Sequence, residues 1–300
     1  MDSNNSISED HDVAPRIACV QMVSSTDVNV NINTAGELIA QAVADGAQVV
    51  ILPEYFCIMG RNETDKLAVA EDFVGEATHA GTPLQHFLRQ QAIQHQIYLI
   101  AGTVPLKSND PNKVFNTTII YAPTGQIEAR YDKIHLFGFS NGIESYSEGE
   151  AIMAGDATAP CVWNSPWGRI GIAICYDIRF PELFRMAGDV VAWVVVAAFT
   201  YTTGQAHWEI LLRARAIENQ CYLAACGQGG VHDNGRRTFG HTMWIDPWGV
   251  VQAVLPEGVG VVAGNLLNSR ITRVRASLPA LKHRVMNCGS ALESPIKNEK

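Results

Sequence analysis

Short apolar runs alternate with amphipathic segments through most of this chain, which confines it to folds in which helices cover a sheet that is at least partly parallel. RIACVQM (16–22) predicts a buried strand. NINTAGELIAQAVADGA then sets Ala35, Leu38, Ile39, Ala42 and Val43 at helical spacing with Gly46 as the stop, and QVVILP gives the next strand. The pattern returns with PLQHFLRQQAIQHQ, whose proline suits a first helical turn, followed by IYLIAGTVP as a strand. VFNTTIIYA and QIEARYD flank PTG as a hairpin, and a loop-rich stretch from about His135 to Asp156 leads to RIGIAIC, a strand ending at Cys175. The second half repeats the alternation with PELFRMAG as a helix, VVAWVVVAAF as a central strand, HWEILLRARAIENQ as a helix and CYLAACG as a strand. Late alternating runs predict antiparallel strands around the turn Asp246-Pro247-Trp248-Gly249. Because the strands are apolar on both faces, helices must cover one face, and either helices or a second sheet the other. A two-sheet sandwich and a single doubly wound sheet both satisfy this pattern.

No linker divides the 300 residues, and the reading is a flexible tail over 1–14, one domain over 15–287 and a C-terminal tail over 288–300. The net charge of -8 is spread without a basic run, which argues against nucleic acid as a partner. The longest apolar stretch is about half a bilayer span, and the polar, acidic MDSNNSISEDHDVAP is neither signal nor transit peptide, so no membrane association and a cytoplasmic location are expected. Seven cysteines without CxxC spacing or a histidine cluster suggest neither a disulfide framework nor a structural zinc site.

Cys175 closes a buried strand, at the end where α/β sheets usually bind ligands. Glu54 follows QVVILP, where Pro53 cannot donate to a ladder and so ends the strand with the carboxylate at its mouth. Lys133 interrupts RYDKIHLF beside Tyr131, Ile134, Leu136 and Phe137. Each alone has a bland reading, as an inert thiol, a solvated glutamate and a surface lysine; Cys19, Cys161, Cys221, Cys226 and Cys288 keep the first, and Cys57 packs against its loop. Together the three form a chemical set. A thiol mostly protonated at neutral pH needs a base or a cation, attack on an amide creates an oxyanion that a cation stabilises, and the carboxylic acid so formed can protonate the departing nitrogen.

LPEYF, YDKIHLF and GIAICYDIRFPE, in this order, resemble the nitrilase superfamily of carbon–nitrogen hydrolases, and the similarity extends from about Arg16 to about Val285. The resemblance implies a four-layer αββα sandwich, a homodimer or dimer-based assembly through helical faces, no metal and no organic cofactor. It implies Glu54 as proton acceptor and donor, Lys133 as oxyanion stabiliser and Cys175 as nucleophile, with the Tyr176 backbone N–H beside the oxyanion. A second glutamate that positions the lysine matches Glu148, with Glu144 and Glu150 as rivals. Asp177 and Arg179 become supporting residues, an ion pair behind the nucleophile, unless Arg179 faces a substrate carboxylate. Tyr176 and Asp177 stand where nitrilases and aliphatic amidases carry tryptophan and glutamate, which lowers nitrile hydrolysis. Other stretches look most like the Nit-type amidases, nearest the branch that hydrolyses deaminated glutathione, with ω-amidases and N-carbamoyl amino acid or β-alanine hydrolases as alternatives. The implied substrate is a small anionic amide that needs a further cation. Arg179 is one candidate, while Arg236 and Arg237 in NGRRTFG are read first as solvated. Thr200, Tyr201 and Thr202 are candidates to line the same mouth, and His207 is structural. Glu209 and Arg213 should pair along their helix.

Overall fold

The computed structural model describes residues 14–75, 81–142 and 145–286; apart from Ala14 both expected tails, with Cys288 and the rival Glu144, lie outside the described residues. Two large sheets form the centre. The first runs in the order Gly260–Asn265, Arg16–Gln21, Val49–Ile51, Tyr98–Ile100, Val114–Tyr121, Val104–Lys107. The second runs Val162–Ser165, Gly168–Ile174, Ala192–Ala197, Tyr222–Gly227, Thr242–Ile245, Val251–Leu255. Each has a parallel centre, 16–21 with 49–51 with 98–100 and 168–174 with 192–197 with 222–227, and antiparallel flanks.

Strand periodicity explains why the runs carry no polar face. In the first sheet Ala18, Val20, Val50 and Leu99 pack outward against Ala35, Leu38 and Ile39 of helix Val28–Ala44 and Leu88 of helix Pro83–His95. The alternate residues Cys19, Ile51, Ile100 and Ile120 join the core shared with the second sheet. Trp208, Leu212 and Ala216 of helix Tyr201–Asn219, with Phe184 of helix Pro181–Met186, bury against the second sheet from outside. The layers are therefore helix, sheet, sheet, helix, the αββα sandwich. Asp27 starts the first helix by accepting from the Asn29 and Val30 N–H groups, and Gly46, at φ 87°, follows its end.

Three local expectations change. IYLIAGTVP is two strands, because Gly102 bends the chain at φ 57° against the strand that ends before Glu54; a Cβ there would lie 2.1 Å from the Pro53 carbonyl oxygen. The helix assigned to HWEILLRARAIENQ begins six residues earlier, at Tyr201, because threonine and glycine at its start are tolerated where the apolar stripe has not yet begun. The last run, Gly260–Asn265, leaves its sequence neighbour Val251–Leu255 and pairs antiparallel with Arg16–Gln21 in the other sheet. The Asp246–Gly249 turn forms as expected, with Gly249 N–H donating to the Asp246 carbonyl at 2.9 Å.

Where the sheets face each other, the Trp244 indole lies over Gly264, whose added Cβ would meet the ring at 2.1 Å. Gly264→Ala should therefore lower stability by about 1–3 kcal/mol through overpacking, read as a lower urea midpoint at constant slope; an unchanged midpoint would mean that the two sheets are not in contact there.

Candidate active site

Two strand ends, one from each sheet, meet over a third chain segment. Glu54 follows the strand Val49–Ile51 and is 1% exposed. Tyr55 beside it takes φ 57° and donates its N–H to Thr103 Oγ1 at 2.9 Å, which fixes the bend that carries Glu54. Cys175 follows Gly168–Ile174 at φ 49°. A non-glycine residue in the left-handed region costs on the order of 1 kcal/mol or more, offset here by Asp177, whose Oδ2 accepts the Ile174 N–H at 2.8 Å across the bend.

Lys133 follows the strand Ile127–Asp132, with its N–H on the Asn116 carbonyl and its own carbonyl on the Gly155 N–H, both at 2.9 Å. Its side chain is wholly buried, and its ammonium contacts Glu54 Oε1 at 2.9 Å and Glu148 Oε1 and Oε2 at 2.9 and 2.8 Å. The carboxylates have further donors. Glu54 accepts from Asn116 Nδ2 at 2.9 Å and from the Ala198 N–H at 2.7 Å. Glu148 accepts from the Tyr55 hydroxyl at 2.8 Å and the Phe137 N–H at 2.7 Å. A buried charge is tolerated only when paired and hydrogen-bonded in this way.

The same closeness sets protonation. Burial by itself would lower the Lys133 pKa, but Glu148, Glu54 and Cys175 outweigh it and push the pKa well above the usual lysine value. Burial works to raise the Glu148 carboxyl, yet the Lys133 charge and its hydrogen bond win and hold it below its ordinary value. Burial first, then the negative charge of Glu54, drive the Cys175 thiol well above its ordinary value, with Lys133 opposing and the hydrogen bond to Glu54 adding to the rise. The resting sulfur is a protonated thiol beside a carboxylate. Such a trio can transfer the thiol proton to the carboxylate as sulfur attacks a carbonyl, with the ammonium facing the developing oxyanion.

The profile of the carbon–nitrogen hydrolase family matches residues 16–276, nearly all of the described chain. The chain belongs to the carbon–nitrogen hydrolase family. Among curated relatives, the "Deaminated glutathione amidase" of Synechocystis is 42% identical to the hydrolase over 273 residues, 89% of this chain and 97% of that one. The crystal structure of the C. elegans NitFhit protein superposes with a TM-score of 0.81 at 36% identity, over 91% of this chain but 65% of that fusion protein. Saccharomyces cerevisiae Nit3, a member of branch 10 of the nitrilase superfamily, gives a TM-score of 0.79 at 27% identity over 89% of this chain and 94% of its own. The hydrolase is thus an enzyme that cleaves carbon–nitrogen bonds in amides.

Other sequence-derived candidates separate. Cys175, Glu148, Tyr176 and Thr200 line one narrow slot of the hydrolase. Of the rival glutamates, Glu150 is exposed. Tyr201 and Thr202 do not line the slot, because 200 begins a helix whose period brings Thr203 beside Thr200, their hydroxyls 2.7 Å apart. Tyr201 instead packs on Phe239 and under the Arg237 guanidinium. The expected Asp177–Arg179 ion pair is absent among the described residues. Asp177 takes the Tyr131 hydroxyl and the His135 ring, both at 2.7 Å, while Arg179 meets His207 Nδ1 at 3.2 Å and stacks near Tyr176 and Phe199. Glu209 and Arg213 pair at 3.3 Å. Arg237 is exposed and paired with Glu257, as a solvated arginine should be, but Arg236 turns inward and lines the slot.

Asn116 and Tyr55 are the site members that sequence reasoning missed. Asn116 had a signal, an amide inside the apolar run VFNTTIIYA, since a buried amide needs partners. The Ala198 N–H had none. Alkylation of Cys175 by iodoacetamide should rise steadily with pH to beyond pH 9, because the elevated thiol pKa keeps the thiolate fraction small at neutrality. A plateau reached below pH 8 would mean that Lys133 outweighs burial and Glu54.

Proposed function

We propose that Cys175, Glu54 and Lys133 hydrolyse a linear amide through a thioester, and that the physiological substrate is deaminated glutathione, N-(4-oxoglutaryl)cysteinylglycine. The observation carrying the chemistry is the burial of all three reactive groups in one hydrogen-bonded cluster; the 42% identity to a relative named deaminated glutathione amidase supports the substrate.

Glu54 accepts the thiol proton as Sγ bonds to the amide carbon, and the oxyanion forms between the Lys133 ammonium and the Tyr176 backbone N–H. Glu54 then returns the proton to the amide nitrogen, the C–N bond breaks and cysteinylglycine departs. Water attacks the thioester with Glu54 again taking a proton, the C–S bond breaks, the thiol is reprotonated and 2-oxoglutarate leaves. Glu148 positions Lys133. Arg179, at the edge of the site, is the cation for the keto-acid carboxylate, and Thr200 supplies a hydroxyl.

We also place the expected subunit contact on helix Tyr201–Asn219, where Ile210 (69% exposed) and Ile217 lie outward and Ile217 packs against Gly249 beside exposed Trp248. No described helix is long and apolar enough to cross a membrane, and the six described cysteines are free, which supports a reducing, cytoplasmic setting.

Cys175→Ala should abolish turnover while keeping the fold. Lys133→Met should lower kcat by at least about 10²-fold, and it should also lower thermal stability by leaving Glu54 and Glu148 without their shared cation. Normal kcat in either folded variant refutes the assignment. For the substrate, wild-type kcat/KM for N-(4-oxoglutaryl)cysteinylglycine should exceed that for 2-oxoglutaramate, both followed by release of 2-oxoglutarate; the reverse order makes the enzyme an ω-amidase with the same chemistry.

A further inference from the structure

Arg236 is a cation short of partners. It stands just before the strand Arg237–Phe239, directly after the turn His232–Gly235, and its side chain points into the protein. Its Nε is buried and meets no acceptor. One terminal nitrogen reaches only the Met59 thioether at 3.8 Å, and the other the Ala198 carbonyl at 3.3 Å. The guanidinium faces the Tyr146 ring at 5.1 Å. Among the described residues no carboxylate lies within ion-pair distance, whereas nearby Lys66 is neutralised by Glu63 and Arg237 by Glu257. A guanidinium has five N–H donors and a strong preference for a planar, two-oxygen acceptor, so one left this poorly satisfied at a cavity wall is set up for an anion.

The cavity shows which anion. Arg236 lies on the wall between the Cys175 slot and a larger cleft of about 220 Å³. That cleft is lined by Tyr55 and by residues 58–63, in the loop that follows Glu54, with Lys66, Tyr146 and Asn234. The Ala198 peptide connects the two groups directly, with its N–H on Glu54 and its carbonyl on Arg236. Glu54 is the group assigned above to protonate the departing nitrogen, and the cleft that adjoins the Cys175 slot at Arg236 is lined by its chain neighbour Tyr55, the side on which an amine portion would extend.

We propose that this cleft is the leaving-group site and that Arg236 binds a carboxylate carried by the departing amine, which makes the enzyme selective for amides of amino acids or short peptides over primary amides. The proposal rests on the amidase assignment above. In deaminated glutathione the group concerned is the glycine carboxylate, so the substrate's two carboxylates are held by different arginines on either side of the scissile bond.

The test compares three substrates with wild type, Arg236→Met and Arg236→Lys: N-(4-oxoglutaryl)cysteinylglycine, the same compound with its C-terminal carboxylate converted to a carboxamide, and 2-oxoglutaramate. Wild type should prefer the carboxylate over the carboxamide by about 10–100-fold in kcat/KM, the worth of a charge-assisted contact. Arg236→Met should lose that preference, and Arg236→Lys should restore part of it. Equal losses on all three substrates in Arg236→Met, or a preference that survives the substitution, overturns the proposal. If wild type cleaves 2-oxoglutaramate but not the dipeptide amide, the substrate reading fails. The site is then read from inhibition of 2-oxoglutaramate hydrolysis by cysteinylglycine against cysteinylglycinamide: weaker inhibition by the amide in wild type, with no difference in Arg236→Met, upholds the leaving-group site, and equal inhibition by both in wild type overturns it.

Discussion

The Lys133 ammonium, wholly buried between Glu54 and Glu148, is the contact on which the rest of the site depends. Removed from water alone, any of these three charges would neutralise itself by shifting its pKa. Held together, the lysine and Glu148 stay charged, with Glu148 forced below and Lys133 far above their ordinary values. The arrangement reaches far along the chain. Tyr55 and Phe137 fix Glu148, Asn116 and Ala198 fix Glu54, and Asn116 also takes the Lys133 backbone N–H, so four segments and both sheets are held at one point.

That construction explains why the two sheets need each other. Glu54 ends a strand of the first sheet and Cys175 a strand of the second, and the Ala198 N–H, just past the central strand of the second sheet, completes the shell of Glu54. Inside the sandwich, Cys19, Ile51 and Ile100 press against the second sheet, and Gly264 allows the Trp244 ring to lie flush. The packing therefore sets the distance between base and thiol, and neither sheet alone contains the site.

Much of this was legible in the sequence, for identifiable reasons. Buried strands and their helices announce themselves by period, and Pro53 and the polar residues after Ile174 mark strand ends, so Glu54 and Cys175 could be placed at the mouth. The choice between one sheet and two could not be made from period alone, since a strand with two apolar faces looks the same in either; it depended on the resemblance, and in the structure on the last strand crossing to pair with Arg16–Gln21. Of the candidate hydroxyls only Thr200 lines the slot, because a helix starts at Tyr201 and its period brings Thr203, not Tyr201 or Thr202, beside Thr200. Arg236 and Arg237 are adjacent in sequence and opposite in environment, a difference set by the alternation of a strand that had no apolar pattern to reveal it.

The cluster around Lys133 also fixes an electrical quantity. In the resting site that the proposed cycle starts from, two carboxylates, one ammonium and one neutral thiol sum to a single negative unit. In the proposed cycle that sum never changes. As sulfur attacks, the proton moves to Glu54 while the negative charge appears on the substrate oxygen, and when the amine leaves, the charge returns to the carboxylate. The reaction displaces charge by a few bond lengths and leaves the sum unchanged, so the Lys133 ammonium and the Tyr176 N–H need only face the oxygen that takes the charge over from Glu54. A rigid interior is suited to such a step, because donors already in place need not reorganise as the charge moves.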